Sequence, residues 1–279
     1  MTGERPAPLP DGVLTSTKNP RVRAALALRD RRARDASGLT LIDGVRELAR
    51  ALAGGARIAE VYVVEHALEA AGADAVELAR RGGAGIVPVT AGVLDRLGYG
   101  ERSEGVVATV HVPDVSLGQL DGRLPENPLV VVLEGVEKPG NLGAVLRSAD
   151  AAGADAVIVA DPRTDLFNPN TIRASLGTVF AVPVAAGGAA AVRRWLDAAG
   201  IRPLAARVEA AVPYTDADLR GPVALVLGSE ADGLSDAWTG PGVRAVSLPM
   251  LGVADSLNVS VTAAVLLYEA RRQRGGAPG

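Results

Sequence analysis

The sequence predicts two successive α/β domains, the second built on a parallel sheet covered on both faces. Short apolar runs alternate with helical patterns through nearly the whole chain. A polar stretch with three prolines, PDVSLGQLDGRLPENP at 113–128, interrupts that alternation. Beyond it the apolar runs, such as PLVVVLEG and PVALVLG, are almost continuous, as in strands buried on both sides. A length of 279 residues suits two domains.

The elements follow in order. Residues 1–17 are rich in proline, glycine and threonine and are expected to form a mobile tail. Asn19-Pro20 marks a helix start, and 20–34 read as one helix. GLTLID is a strand, GVRELARALAGG a helix and ARIAEVYVVE a strand. HALEAAGADAVELARRGG is a helix, GIVPVT a strand, AGVLDRLG a helix and EGVVATVHV a strand. This gives a first domain over 18–112, a linker over 113–128 and a second domain over 129–279. Strands are expected in the second domain at PLVVVLEG, AVIVAD, near AVPVA, and at IRPLAARV, PVALVLG and VRAVSLPM. Its helices are expected at 141–152, 171–178, 188–199, 230–238 and 255–274.

Composition narrows the chemistry. The chain has no cysteine, which removes disulfides, thiolate metal sites and a cysteine nucleophile. Its two histidines, His66 and His111, are too far apart for a histidine metal-ligand pair and read as structural, so no metal is expected. MTGERPAPLPDG lacks the apolar region of a signal peptide, and no run approaches the roughly 20 apolar residues of a membrane span, so a cytoplasmic protein is expected.

The net charge of −3 argues against a uniformly basic nucleic-acid binder. Its distribution is less neutral. From Lys18 to Arg34, Lys18, Arg21, Arg23, Arg29, Arg31, Arg32 and Arg34 face the single acid Asp30. Such a run can attract several phosphates, and it can equally be a solvated basic helix.

Three strand exits are unusually polar and rich in glycine. In LEGVEKPGNLGAVLRSAD, Pro139-Gly140 ends the strand, Asn141 can cap the next helix, and Gly143 permits a close approach. Arg147 lies four residues after Gly143 on the same helix face, where it and the helix N-terminus can converge on an anion. In LVLGSEADGLS, Gly228 ends a strand, Glu230 follows, and Gly233 permits a tight reversal. In SLPMLGVADSLNVSV, Asp255 or Ser256 can cap the last helix, which leaves Asn258 in its first turn as a poor helix former with inward polar contacts. No G-x-G-x-x-G follows the first of these strands and no G-x-x-x-x-G-K-[ST] occurs, which leaves a nucleotide-dependent enzyme without a phosphate loop.

These stretches together resemble the SpoU, or TrmH, branch of the SPOUT RNA methyltransferases. N-x-G-x-x-x-R stands as Asn141, Gly143 and Arg147. G-[SN]-E-x-x-G stands as Gly228-Ser229-Glu230 with Gly233. [IL]-P-M…S-L-N-[VA]-[SA] stands as Leu248-Pro249-Met250 with Ser256-Leu257-Asn258-Val259-Ser260. The front half resembles the accessory domain of ribosomal-RNA members, including thiostrepton-resistance-like enzymes. It departs from them at Asp43, where glutamate is commoner, and in the loop GERSEGVVA.

The resemblance implies a fold: a small α/β ribosomal-protein-like RNA-binding domain followed by a SPOUT trefoil-knot methyltransferase domain with a parallel sheet. It implies S-adenosylmethionine as methyl donor, a ribose 2′-hydroxyl of RNA as acceptor, and a homodimer whose active site is completed across the interface. Ribosomal RNA is the expected target. Transfer RNA, or a non-catalytic RNA-binding role, is the alternative. The site residues implied are Arg147, Glu230, Asn258, Asn141 and Ser256 for catalysis, with Glu230 orienting Arg147 or the ribose hydroxyl. Ala205, Gly228, Gly233, Leu248, Met250 and Leu257 are implied for the cofactor. For RNA they are Arg173 and the arginines of the basic run, Arg21, Arg23, Arg29, Arg31 and Arg32.

Overall fold

The computed structural model describes residues 12–98 and 104–275. The chain divides into two compact units between Val112 and Pro113.

The first unit opens with α1 (Pro20–Ala27). Asn19 caps it by accepting from the Arg21 amide at 2.9 Å, and Pro20 takes the first helical position. The single helix expected over 20–34 is in fact two. α2 (Arg31–Ser37) starts afresh because the Asp30 carboxylate accepts from the Arg32 amide at 2.8 Å. The buried Arg34 then donates back to the carbonyls of Leu28 and Arg29 at 2.9 and 3.0 Å, which satisfies the end of α1. There follow β1 (Leu39–Asp43), α3 (Val45–Ala53), β2 (Ile58–Val63), α4 (Ala70–Arg81), β3 (Gly85–Pro88), α5 (Ala91–Leu97) and β4 (Val106–His111).

The sheet runs β1-β4-β2-β3, with β4 antiparallel to both neighbours and β2 parallel to β3. Val22, Ala25, Leu41, Tyr62, Val87, Leu94 and Leu97 form its core. The tail expected over 1–17 is bound at its end, since Leu14 and Val89 form an isolated bridge and Leu14 donates to the Pro88 carbonyl at 2.9 Å. Residues 1–11 lie outside the described residues.

The second unit begins with the expected linker. Residues 113–128 pack as part of this unit: Val115 accepts from the Ala186 amide at 2.7 Å, and Leu120 is buried in the core. Then come β5 (Leu129–Glu134), α6 (Pro139–Ala152), β6 (Ala156–Ala160), α7 (Pro169–Ala174), β7 (Val184–Gly187), α8 (Ala189–Ala198), β8 (Arg202–Ala206), β9 (Val223–Leu227), β10 (Arg244–Val246) and α9 (Val259–Gln273). The six strands are all parallel, in the order β10-β8-β9-β5-β6-β7.

Valine, leucine and alanine fill β5, β6 and β9 because these strands are covered on both faces. The chain enters at the centre, builds β6 and β7 on one side, and crosses back to lay β8 and β9 on the other. The exits of β5 and β9 therefore diverge at a switch point, where open α/β sheets place their ligand sites.

Candidate active site

At that switch point Glu230 is the hub. Its Oε1 accepts from Asn141 Nδ2 at 2.8 Å and from Asn258 Nδ2 at 2.7 Å. Its Oε2 accepts from Lys138 Nζ at 2.7 Å. Asn258 Nδ2 also lies 3.3 Å from Asn141 Oδ1, which closes the cluster. The Lys138 hydrogen bond is the main reason that the Glu230 carboxyl is held below its ordinary range, and Glu230 in turn raises Lys138. The site is thus an ionised carboxylate held by two amides and an ammonium.

Local folding explains how each group arrives, and it corrects three expectations. α6 starts at Pro139 with Lys138 in the capping position, so Asn141 is not a cap; it sits in the first turn with its side chain turned to Glu230. Asp255 and Ser256 do not cap the last helix. Asn258 does, accepting from the Ser260 amide and hydroxyl at 2.9 and 2.6 Å while its amide nitrogen serves Glu230. The helix expected over 230–238 is absent. Residues 229–233 form a turn in which the Gly233 amide donates to the Ser229 carbonyl at 3.1 Å, followed by a short 3-10 turn, Asp236–Trp238. The turn folds back on the strand so tightly that a Cβ on Gly228 would stand 2.2 Å from the Gly233 carbonyl carbon, and Gly233 itself has φ +67°. The buried Glu134 anchors the far end of this loop by accepting from the Ser235 amide and hydroxyl at 2.8 and 2.6 Å.

Two cavities meet here. The larger, about 310 Å³, is lined by Ala206, Leu227, Gly228, Gly233, Leu248, Met250, Ser256, Leu257 and Thr262 among others. The second, about 240 Å³, is lined by Val136, Glu137, Lys138, Asn141 and Ala231. They share Ser229, Glu230 and Val259. The larger is walled by aliphatic side chains and the turn around Gly228, a setting for a flat, partly apolar ligand held by main-chain groups.

Gly228, Gly233, Leu248, Met250 and Leu257, expected at the cofactor, all line the larger cavity, and Ser256 joins them there. Ala205 does not. It is fully buried in the sheet core, and its neighbour Ala206 reaches the cavity instead.

Arg147 is exposed on α6 and lines neither cavity. It is not bonded to Glu230 of the same chain; among the described residues the carboxylate's side-chain partners are Lys138, Asn141 and Asn258. Lys138 was missed in the sequence, as was Arg163. The latter binds Glu137 at 2.6 Å and Asp232 at 2.8 Å and so ties the loops after β5, β6 and β9 together. Arg173 is exposed on α7.

The basic run of the first unit is partly committed to structure. Arg21 pairs with Glu60 at 2.6 Å. Arg29 donates to the carbonyls of Arg96 and Gly98, both at 2.6 Å, at the end of α5. Arg31 lies 3.6 Å from Asp35. Arg23 and Arg32 are exposed. His111 Nδ1 lies 2.9 Å from Arg57 Nη2, and burial lowers its pKa. Among the described residues no cluster of three or more histidines and carboxylates could hold a metal ion, and no helix is long and apolar enough to cross a membrane.

Residues 128–268 match the model of the SpoU rRNA methylase family, just over half of the chain. The chain belongs to that family. SpoU members are S-adenosylmethionine-dependent RNA 2′-O-methyltransferases. Residues 19–108 match an MRM3-like substrate binding domain. The 23S rRNA (guanosine-2′-O-)-methyltransferase RlmB of Ralstonia nicotianae is 35% identical over 225 residues, covering 79% of this chain and 90% of the relative. An RNA 2′-O ribose methyltransferase structure superposes with a TM-score of 0.81 at 40% identity, covering 94% of this chain and 98% of the other. The AdoMet-bound rRNA methyltransferase of Sinorhizobium meliloti gives 0.84 at 30% identity, with 93% and 97% covered. Asn141, Gly228, Ser229, Glu230, Gly233, Leu248, Met250, Ser256, Leu257 and Val259 of the SpoU motifs thus line the two cavities, whereas Gly143 and Arg147 do not.

Proposed function

We propose that the protein transfers a methyl group from S-adenosylmethionine to a ribose 2′-hydroxyl of 23S ribosomal RNA. The observation that carries this reading is the pair of cavities sharing Glu230: one suits the cofactor, and the other offers the polar groups a ribose needs. The RlmB relative and the rRNA methyltransferase neighbour support ribosomal RNA.

In the larger cavity, main-chain groups around Gly228 and Leu257 and the aliphatic cover of Leu227 and Leu248 would hold the cofactor. When bound, it supplies an electrophilic methyl on a positive sulfonium. Asn141 and Asn258 fix Glu230, and Glu230 aims an ionised oxygen at the smaller cavity to accept from the ribose hydroxyl. A carboxylate held below its ordinary range is a weak proton acceptor, so its work is orientation and charge stabilisation. Arg147, also unsuited as a base, steadies an RNA phosphate and the developing alkoxide, and the hydroxyl proton leaves through that phosphate or water.

Because Arg147 lines neither cavity of its own chain, we assign it to the site of a second subunit in a homodimer. An apolar stripe on α9 supports the dimer: Val261 and Tyr268 are 47% and 55% exposed, with Ala264 and Val265 between them on the same face. The return of the chain from the sheet edge at β10 to α9 beside α6 supports a trefoil knot around the cofactor cavity. Arg173 and the exposed Arg23 and Arg32 serve as phosphate contacts, and cytoplasmic work on ribosomal RNA follows from the substrate.

The test is tritium transfer from labelled S-adenosylmethionine to 23S transcripts, with 2′-O-methylation mapped in cells with and without the gene. One ribose methyl lost from 23S RNA is expected. Failure of the purified protein to methylate any RNA overturns the reading.

A further inference from the structure

The two oxygens of Glu230 are not equivalent. Oε1 accepts from both asparagines, whereas among the described residues Oε2 accepts from Lys138 alone. Lys138 lines the smaller cavity, and its side chain is 71% exposed, so its ammonium is open to an incoming anion. Helix stability does not explain a lysine here, because it stands at the positive N-terminal end of α6. The adjacent carboxylate does not capture it either, since Glu137 is bound by Arg163 at 2.6 Å.

We propose that Lys138 is a latch on Glu230 that an RNA phosphodiester opens. The phosphate beside the target ribose takes the ammonium, and the Oε2 so released accepts a hydrogen bond from the 2′-hydroxyl. No bond is made or broken in this exchange; one charge-assisted hydrogen bond replaces another. The latch couples substrate arrival to exposure of the orienting oxygen, and it adds a phosphate contact that the sequence motifs do not contain. It rests on the reading of the site as an RNA ribose methyltransferase.

The experiment compares the full-length protein with Lys138→Met and Lys138→Arg, measuring RNA affinity against salt concentration, S-adenosylmethionine affinity, and steady-state kinetics. In Lys138→Met the slope of log affinity against log salt flattens by about 0.7–0.9, the value of one phosphate contact. KM for RNA rises about three- to tenfold, while cofactor affinity stays within about twofold. Lys138→Arg restores the slope, because the charge suffices for the phosphate contact. An unchanged slope in Lys138→Met with wild-type turnover intact overturns the latch and leaves the methyltransferase reading standing. Absence of transfer by the wild type overturns the methyltransferase reading itself.

Discussion

Gly143 of α6 lies so close to Ala174 of α7 that a Cβ on the glycine would stand 2.5 Å from the alanine's own Cβ. The Ser175 amide nitrogen would be only 2.8 Å away, so backbone as well as side chain would have to move. The motif glycine is therefore a packing requirement between two helices, one carrying Arg147 and the other Arg173. Gly143→Ala is expected to cost about 1–3 kcal/mol, as overpacked cores do. Urea unfolding measures this, and RNA affinity should fall with it as α7 shifts. A variant of undiminished stability would contradict the contact.

The Glu230 carboxyl, held down first by Lys138 and then by Asn141, sets a pH dependence. Its folded pKa is below the unfolded value of about 4.5. The stability it contributes is thus complete above that value and is lost as pH falls through the folded pKa. Lys138 has the opposite sign: its contribution is complete below about 10.5 and is lost as pH rises through the raised folded pKa. Carbon-detected NMR titration of the glutamate side chains should find Glu230 below 4.5, and moved upward in Lys138→Met. An unmoved titration in that variant would show that the ion pair is absent in solution.

If Arg147 completes the partner's site, two inactive proteins should rescue each other. Arg147→Ala and Glu230→Gln should each lose about a hundredfold or more in turnover, as removal of an orienting or charge-stabilising group does. Co-refolding equal amounts should return about a quarter of wild-type activity, since half the dimers are mixed and each carries one intact site. No recovery in demonstrably mixed dimers would place Arg147 and Glu230 in the same subunit's site.

Arg274 closes the second unit at the opposite end of the sheet. It donates to the carbonyls of Leu219 at 2.8 Å, Asn127 at 2.7 Å and Gly221 at 2.6 Å. Arg274→Ala is expected to cost about 2–4 kcal/mol, because several carbonyls lose a charged donor at once. Arg274→Lys should recover less than half, since an ammonium cannot span the guanidinium fork. Thermal unfolding measures both, and an Arg274→Ala protein as stable as the wild type would remove the residue's structural role.

Much of the second unit was legible because its central strands are buried on both faces and their sequences carry little else. Asn19-Pro20 was equally legible, since capping is local. The break between α1 and α2 was hidden because Arg34 reaches back to the carbonyls of residues 28 and 29, a contact with no periodic signature. The turn at 229–233 has the composition of a helix start, and only its fold-back onto Gly228 reveals otherwise. In the linker, Leu117 and Leu120 look incidental among polar residues, yet they pack on the core.

Asn141, Glu230 and Asn258 were legible through their motifs. Lys138 was not, because its partner is 92 residues away. A cation on the wrong end of a helix was the available clue. Ala205 is itself buried while the adjacent Ala206 lines the cavity, because successive residues of a strand face opposite ways.

The Asn258–Asn141 contact joins residues 117 positions apart, and Asn258 stands at the threshold of the last helix. During synthesis, therefore, the cluster around Glu230 is among the last parts of the molecule to be completed. A chain halted just before that asparagine has every strand of the sheet, yet Glu230 lacks one of its three side-chain partners. The full set of contacts that aims Glu230 is complete only once the start of α9 has been made.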